Sequence, residues 1–169
     1  MNKGSLSGAI TSFRVVVLPF LVYSFNQEIT ELTYLLFLFA VFSDFLDGHV
    51  AKKYETTSQL GSYFDVTADF VFVLVMFLVF VNKGVYPVWI VLLICLVFGQ
   101  FILSSLYLKR TSYDPIGKYF GSLMYGGIGL TLLFSEQTVY NIVTVGVVVS
   151  ATIILVTRAG YFMGSQIRK

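Results

Sequence analysis

The sequence has little charge and very few cysteine, tryptophan or proline residues. Its 169 residues include one Cys, one Trp and three Pro, and 12% are Asp, Glu, Lys or Arg, whereas an average soluble domain has about 25%. The single Cys95 cannot form an intrachain disulfide, which argues against a disulfide-stapled secreted module. The net charge of +2 is too small to indicate a polyanionic partner, so we expect no nucleic-acid binding.

Apolar residues take the place of the missing charge. They make up 57% of the chain, with 17 Phe and 11 Tyr, and the mean hydropathy is +0.84. A chain this apolar is not intrinsically disordered. The composition predicts an all-α integral membrane protein that resides in a lipid bilayer.

Six stretches are long and apolar enough to cross a membrane, since a span needs about 20 such residues. Their short connections predict a single domain, 1–169, in which six transmembrane helices form one bundle. The predicted spans are Ile10–Phe25, Leu32–Val50, Ser62–Val81, Tyr86–Leu108, Ile116–Phe134 and Val139–Met163.

Basic residues predict the orientation of this bundle, because Lys and Arg favour the cytoplasmic side. Of the 11 basic residues, only Lys83 falls on the opposite side, near Glu28, Glu31 and Glu136. Both termini are therefore predicted to be cytoplasmic, with Tyr86 and Trp89 anchoring the outer interface. The residues assigned to the inner side are Lys3, Arg14, Lys52, Lys53, Lys109, Arg110, Lys118, Arg158, Arg168 and Lys169.

Four aspartates fall inside the ends of predicted spans, where a carboxylate is costly unless it is paired, hydrated or metal-bound. Asp44 and Asp47 lie near the end of the second span, and Asp65 and Asp69 near the start of the third. Residues three or four apart share a helix face, so an antiparallel hairpin would gather all four. Separate structural roles are the alternative. The helix dipole then accounts for Asp65, but it disfavours Asp44 and Asp47 near a helix C-terminus.

Four clustered carboxylates require a compensating charge. Two divalent cations would supply it, and ligands that are all oxygen suit Mg²⁺, Mn²⁺ or Ca²⁺. A pair of such cations is a common arrangement for phosphoryl transfer. The pattern therefore predicts a two-metal site on the cytoplasmic side of the membrane.

The spacing around these aspartates resembles the signature of the CDP-alcohol phosphotransferase family, D-x2-D-G-x2-A-R-x8-G-x3-D-x3-D. Seven of its eight fixed positions match between residues 44 and 69, and Lys52 stands where the family has Arg. The stretch from Thr11 to Pro19 is similar to the first helix of small prokaryotic members that make phosphatidylglycerophosphate. Those members usually have an Asn at the position of Gly8.

The resemblance implies a role for each matching residue. Asp44, Asp47, Asp65 and Asp69 would bind two divalent cations, Mg²⁺ or Mn²⁺, and Asp69 would also be the catalytic base. The acceptor hydroxyl would attack the β-phosphorus of a CDP-linked lipid and release CMP. The resemblance also implies a homodimer. The residues implied in CDP binding are Thr11, Asp44, Gly48, Ala51, Lys52 and Gly61.

The acceptor is a small polar alcohol, for which glycerol 3-phosphate is the first expectation and inositol phosphate the second. Lys109, Arg110, Lys118 and Arg158 are candidates to bind its phosphate, although topology alone also explains basic residues at these places. Only the Gly117-Lys118 pair is kept from the pattern that phosphatidylglycerophosphate-forming members show at the start of the fifth span. Gln100 stands where those members have the Arg-Glu-Ile of the fourth span.

Two other functions are compatible with parts of the sequence. A divalent-cation transporter could use the four aspartates, but the outer halves of the spans are almost wholly apolar and offer no route. A non-catalytic relative that binds a nucleotide lipid is suggested by Lys52 alone, because lysine lacks the planar fork with which arginine binds phosphate.

Overall fold

The structure, a computed structural model, describes residues 4–54, 59–108 and 115–167, and it describes side chains over 14–43, 66–103 and 120–160. Within these residues the chain is helical throughout apart from short connections, which confirms the predicted all-α class and the count of six helices. The helices are α1 Gly4–Asn26, α2 Thr30–Tyr54, α3 Gln59–Asn82, α4 Val88–Leu108, α5 Pro115–Leu133 and α6 Gln137–Ile167.

Most observed helices extend beyond the predicted apolar spans. α1, for example, begins at Gly4 rather than at Ile10. Hydropathy locates apolar residues, whereas a helix needs only its backbone hydrogen bonds, so polar ends escape the prediction. α4 is the exception, because it begins at Val88 rather than at Tyr86. Pro87 explains the difference, since the residue before a proline is disfavoured in helical backbone.

The chain divides into two compact units, Met1–Val79 and Phe80–Lys169. In the first unit α1 packs along α2, and a hydrogen bond of 3.0 Å joins the buried hydroxyls of Thr33 and Ser24 across these helices. In the second unit α6 packs against both α4 and α5. Val97, Ala151 and Ile154 form a buried cluster between α4 and α6.

Two helices end in the same hydrogen-bonded turn, the Schellman motif. At the end of α3, the amides of Val85 and Gly84 donate to the carbonyls of Phe80 and Val81, both at 2.9 Å. The motif needs a residue with positive φ, and Gly84 provides it at 74°. Glycine adopts this backbone without steric cost.

The end of α1 forms the same motif around a residue that is not glycine. The amides of Ile29 and Glu28 donate to the carbonyls of Ser24 and Phe25, at 3.0 and 3.2 Å. Here Glu28 takes the positive φ, at 59°. A side chain in this left-handed conformation costs about 1 kcal/mol, so this turn carries a strain that the α3 turn does not.

Tyr86 is buried in the second unit, so its predicted role as an interface anchor is wrong. The side chain is 3% exposed, and its ring meets those of Phe80 and Tyr140 edge-on. Its hydroxyl donates to Thr131 Oγ1 at 2.6 Å, because Thr131 gives its own hydrogen to the carbonyl of Gly127. Trp89 is exposed.

By length and composition, one stretch of the described chain is long and apolar enough to cross a membrane. It is Gln137–Gly160, of 24 residues. Five shorter apolar stretches, of 10–17 residues, lie in the other helices. Each of the five has one end at a limit of the described side chains. They are Arg14–Asn26, Thr30–Ser43, Val66–Asn82, Val88–Leu103 and Phe120–Leu133.

The two Schellman motifs give matched tests of backbone strain. Glu28→Gly should raise the free energy of unfolding by about 0.5–1 kcal/mol, because glycine removes the steric cost of the positive φ. Gly84→Ala should lower it by about 1 kcal/mol for the converse reason. A Cβ at Gly84 would meet nothing within 4 Å, so a steric clash does not contribute to the change in the free energy of unfolding.

Thermal unfolding of the purified protein measures both effects, with expected shifts of the midpoint of about 3 °C in opposite directions. A Glu28→Gly protein that melts below the parent protein would contradict the strain at this turn.

Candidate active site

The signature residues lie on two consecutive helices, as the sequence predicts. Asp44 and Asp47 fall in the second half of α2, and Asp65 and Asp69 in the first half of α3. Among these four, the described side chain is that of Asp69. The side chains of Asp44, Asp47 and Asp65 lie outside the described residues, so their predicted convergence remains a prediction. The same holds for Thr11, Gly48, Ala51, Lys52 and Gly61, which lie on α1, α2 and α3.

Asp69 is paired with an arginine from the first helix. An ion pair joins Arg14 Nη1 to Asp69 Oδ1. The Arg14 side chain is completely buried, whereas Asp69 keeps 30% of its side-chain surface exposed. The pair therefore links the interior of the first unit to an accessible carboxylate of the signature.

Each member of this pair shares a helix face with buried apolar side chains. Arg14 is followed on α1 by Val17, Leu18 and Leu21, and Asp69 is followed on α3 by Phe72, Val73 and Met76. All six apolar side chains are at most 6% exposed. The spacing of three, four and seven residues keeps each set on one helix face. The ion pair thus lies on the same helix faces as apolar residues of the core.

Sequence reasoning misses the burial of Arg14 and its pair with Asp69. The charge pattern groups Arg14 with basic residues that flank spans on the cytoplasmic side, but it lies within α1 and is fully buried. Its position inside an apolar run is the available signal, since an ionisable residue within a span marks a functional candidate by default.

The candidate acceptor-phosphate residues are described only in part. Lys109 and Arg110 lie outside the described residues, and Lys118 lies on α5 with its side chain outside them. Arg158, on α6, is half-buried. It donates to the carbonyl of Val97 at 3.1 Å, and its guanidinium carbon lies 5.4 Å from the centre of the Phe101 ring.

These two contacts are with uncharged groups on α4. A carbonyl and an aromatic face both stabilise a guanidinium. Nearby on α4, Gln100 donates to the carbonyl of Leu155 at 3.5 Å, and its buried Oε1 has no hydrogen-bond partner within the described part of the chain. The predicted role of Arg158 in binding an acceptor phosphate stays a prediction.

The residues fit divalent cations by their chemistry. Four carboxylates at the signature positions form an all-oxygen donor set, which Mg²⁺ and Mn²⁺ prefer. Among the described side chains no group of three or more His, Cys, Asp or Glu occurs. Of the four signature aspartates, these side chains include only Asp69. Metal binding by the four therefore stays a prediction.

The chain belongs to the CDP-alcohol phosphatidyltransferase family, whose model matches residues 5–162. The match extends well beyond the signature at 44–69 and includes all six helices. The family resemblance read from the sequence is thereby confirmed.

Similar curated proteins carry the name CDP-diacylglycerol–glycerol-3-phosphate 3-phosphatidyltransferase. The protein of Haemophilus influenzae is 35% identical over 101 residues, which are 57% of this chain and 54% of that protein. The protein of Yersinia pestis is 34% identical over 113 residues, or 64% of this chain and 60% of that protein. The chain thus spans less than two thirds of the length of these relatives.

The Arg14–Asp69 pair gives a stability test of its own. Asp69→Asn should destabilise the protein by about 2 kcal/mol, because it leaves a buried guanidinium without its carboxylate. The combined Arg14→Met and Asp69→Asn protein should recover at least about half of that loss, since no buried charge remains. Thermal unfolding without added metal would show a drop of about 6 °C for the single variant.

Glu31→Gln is the matched control, because Glu31 is an exposed acid in the first turn of α2. It should change the midpoint by no more than about 1 °C. Equal losses in the single and combined variants would show that the pair contributes nothing to stability.

Proposed function

We propose that this protein transfers a phosphatidyl group from a CDP-linked lipid to a small polar alcohol and releases CMP. The observation that carries the proposal is the family signature on α2 and α3, with its last carboxylate, Asp69, partly exposed and held by Arg14. Glycerol 3-phosphate is the first candidate acceptor and CDP-diacylglycerol the first candidate donor. Both appear in the names of the similar bacterial proteins. Inositol phosphate is the second candidate acceptor.

The proposed reaction needs a base, and Asp69 is suited to that role. Its carboxylate takes the proton of the acceptor hydroxyl, and the hydroxyl oxygen forms a bond to the β-phosphorus of the donor. The bond between this phosphorus and the bridging oxygen breaks, and CMP leaves with the electron pair. A carboxylate that is held in place acts here by position more than by basicity.

Two divalent cations, when bound, would supply positive charge opposite the pyrophosphate and the departing CMP. Asp44, Asp47, Asp65 and Asp69 are the residues proposed to hold them. Gly48, Ala51 and Gly61 would let the nucleotide lie close to α2 and α3, since they lack bulk. Thr11 and Lys52 complete the proposed CDP site, and Lys109, Arg110, Lys118 and Arg158 are proposed for the acceptor phosphate.

The proposal places the protein in the cytoplasmic membrane with six spans, one domain and both termini inside. Support comes from the helix lengths, which range from 19 to 31 residues, while a span needs about 20. The five shorter apolar stretches stop where the described side chains stop, so their counted length understates each helix. A homodimer, as the family resemblance implies, is part of the same proposal.

Exposed apolar faces also support a lipid environment. A water-soluble monomer rarely exposes large contiguous apolar patches. On α6 such side chains recur every three or four residues, which keeps them on one face of the helix. They are Ile142, Val145, Val149, Ile153 and Val156, each at least 52% exposed.

A non-catalytic nucleotide-lipid-binding protein is the second candidate, and Lys52 is the residue that favours it. Arginine binds phosphate oxygens through a planar fork, whereas lysine offers a point charge. A protein that binds the donor without turnover would be consistent with this substitution.

Release of CMP tests the proposed activity. The purified protein, given CDP-diacylglycerol, Mg²⁺ or Mn²⁺ and glycerol 3-phosphate, should release CMP, and inositol phosphate should give a lower rate. Asp69→Asn should reduce turnover by at least about a hundredfold, because the acceptor proton loses its base. Chelation of divalent cations should abolish release.

Glu31→Gln serves again as the control for removal of a carboxylate, and it should retain full activity. A wild-type protein that binds Mn²⁺ and releases no CMP with any acceptor would rule out the enzyme. Gain of activity in Lys52→Arg would then identify a relative that lost turnover through this one residue.

Cysteine labelling tests the topology. In a Cys95→Ser background, Lys83→Cys and Ser135→Cys place a thiol in the connections predicted to face outward, and Ser112→Cys places one in a connection predicted to face the cytoplasm. A membrane-impermeant maleimide should label the first two in intact cells and the third only after lysis. Labelling of all three in intact cells would contradict the proposed orientation.

A further inference from the structure

The positive charge of Arg14 is permanent. A guanidinium stays protonated at any pH that a protein tolerates, and this one is 0% exposed. Placing an ion in such surroundings costs several kcal/mol unless a partner compensates it. A folded α1 therefore requires a negative group beside Arg14, and the ion pair identifies Asp69 as that group.

Arg14 and Arg158 are the two arginines whose side chains the structure describes, and their contacts differ. Arg158 meets a backbone carbonyl and an aromatic ring, which any neighbouring helix could supply. Arg14 instead meets the last carboxylate of the signature. An ion pair with a fully buried guanidinium restricts where the carboxylate can lie, because leaving the pair would cost the compensation of that charge.

The pair leaves Asp69 able to serve a second partner. Arg14 occupies Oδ1, and a carboxylate has two oxygens with about four lone-pair sites. Asp69 also keeps 30% of its side-chain surface accessible, whereas Arg14 keeps none. The arginine thus holds the carboxylate from the interior, while part of Asp69 stays accessible.

We infer that Arg14 is the positioning residue of the site: it fixes the orientation of Asp69 and reduces the negative charge available to the cations. The inference rests on the proposed function, in which Asp69 is both ligand and base. Four carboxylates alone would carry a charge of −4, and Arg14 lowers this to −3. The site then binds divalent cations less tightly, with a base that is held in one place.

This assignment predicts that metal affinity and turnover move in opposite directions. In Arg14→Met, Mn²⁺ should bind at least about threefold more tightly, because a positive charge close to the ligands is removed. Turnover should fall at least about tenfold, because Asp69 is no longer held. The KM for CDP-diacylglycerol should stay within about threefold, since Arg14 does not contact the donor.

Arg14→Lys separates charge from geometry. Lysine keeps the positive charge, so the affinity for Mn²⁺ should remain within about twofold of the wild type. It lacks the planar fork, so turnover should fall to a value between those of the wild type and Arg14→Met. This variant also keeps the test usable if Arg14→Met fails to fold.

Two control variants test whether loosening of α1, or loss of any positive charge, would give the same result. Thr33→Val removes the hydroxyl that joins α1 to α2 and reports on loosening of α1 alone. Lys83→Met removes an exposed positive charge from the connection between α3 and α4. Both should leave Mn²⁺ affinity and turnover unchanged within about twofold.

Mn²⁺ binding tests the inference without any measurement of turnover. It is measured on the detergent-purified full-length protein, from the electron paramagnetic resonance signal of the free ion. Tighter binding in Arg14→Met supports it even where the wild type releases no CMP, an outcome that would overturn only the proposed function. Unchanged or weaker binding in Arg14→Met, wild-type turnover in Arg14→Lys, or a wild type that does not bind Mn²⁺ would each overturn the inference.

Discussion

The central constraint in the first unit is a positive charge buried where water cannot reach it. Arg14 lies on α1 with no exposed surface, and its charge is permanent. A buried ion is costly unless an opposite charge compensates it. Asp69 on α3 supplies a carboxylate for Arg14. The packing of the first helix and the position of a signature carboxylate are therefore coupled.

This coupling bears on how any loss of function at Asp69 is understood. Removing the carboxylate takes away a candidate base and ligand, and it also removes a charge that compensates a buried ion. Loss of activity on its own then has two explanations, one chemical and one structural. The buried apolar residues on the same helix faces make the structural cost larger, because a low dielectric strengthens the attraction and raises the penalty for breaking it.

The sequence predicts much of this architecture because the physical signals are strong. Six apolar runs define six helices, and the spacing of Asp44, Asp47, Asp65 and Asp69 identifies the family. Charge and polarity at single positions are harder to predict. Arg14 resembles a flanking basic residue until its burial is known, and Tyr86 resembles an interface anchor until its bond to Thr131 is seen. Each partner is far away in the chain, so no local pattern encodes the pair.

In the proposed function, Asp69 has to satisfy two opposing requirements. A base must be accessible to its substrate, yet it must also keep one position, because small displacements lower the reaction rate by large factors. Partial exposure provides the availability, and the pair with a fully buried arginine provides the restraint. The restraint comes from α1, outside the signature on α2 and α3. The family signature alone is thus an incomplete description of the contacts of Asp69, because Arg14 lies on α1, which contributes none of the eight fixed positions.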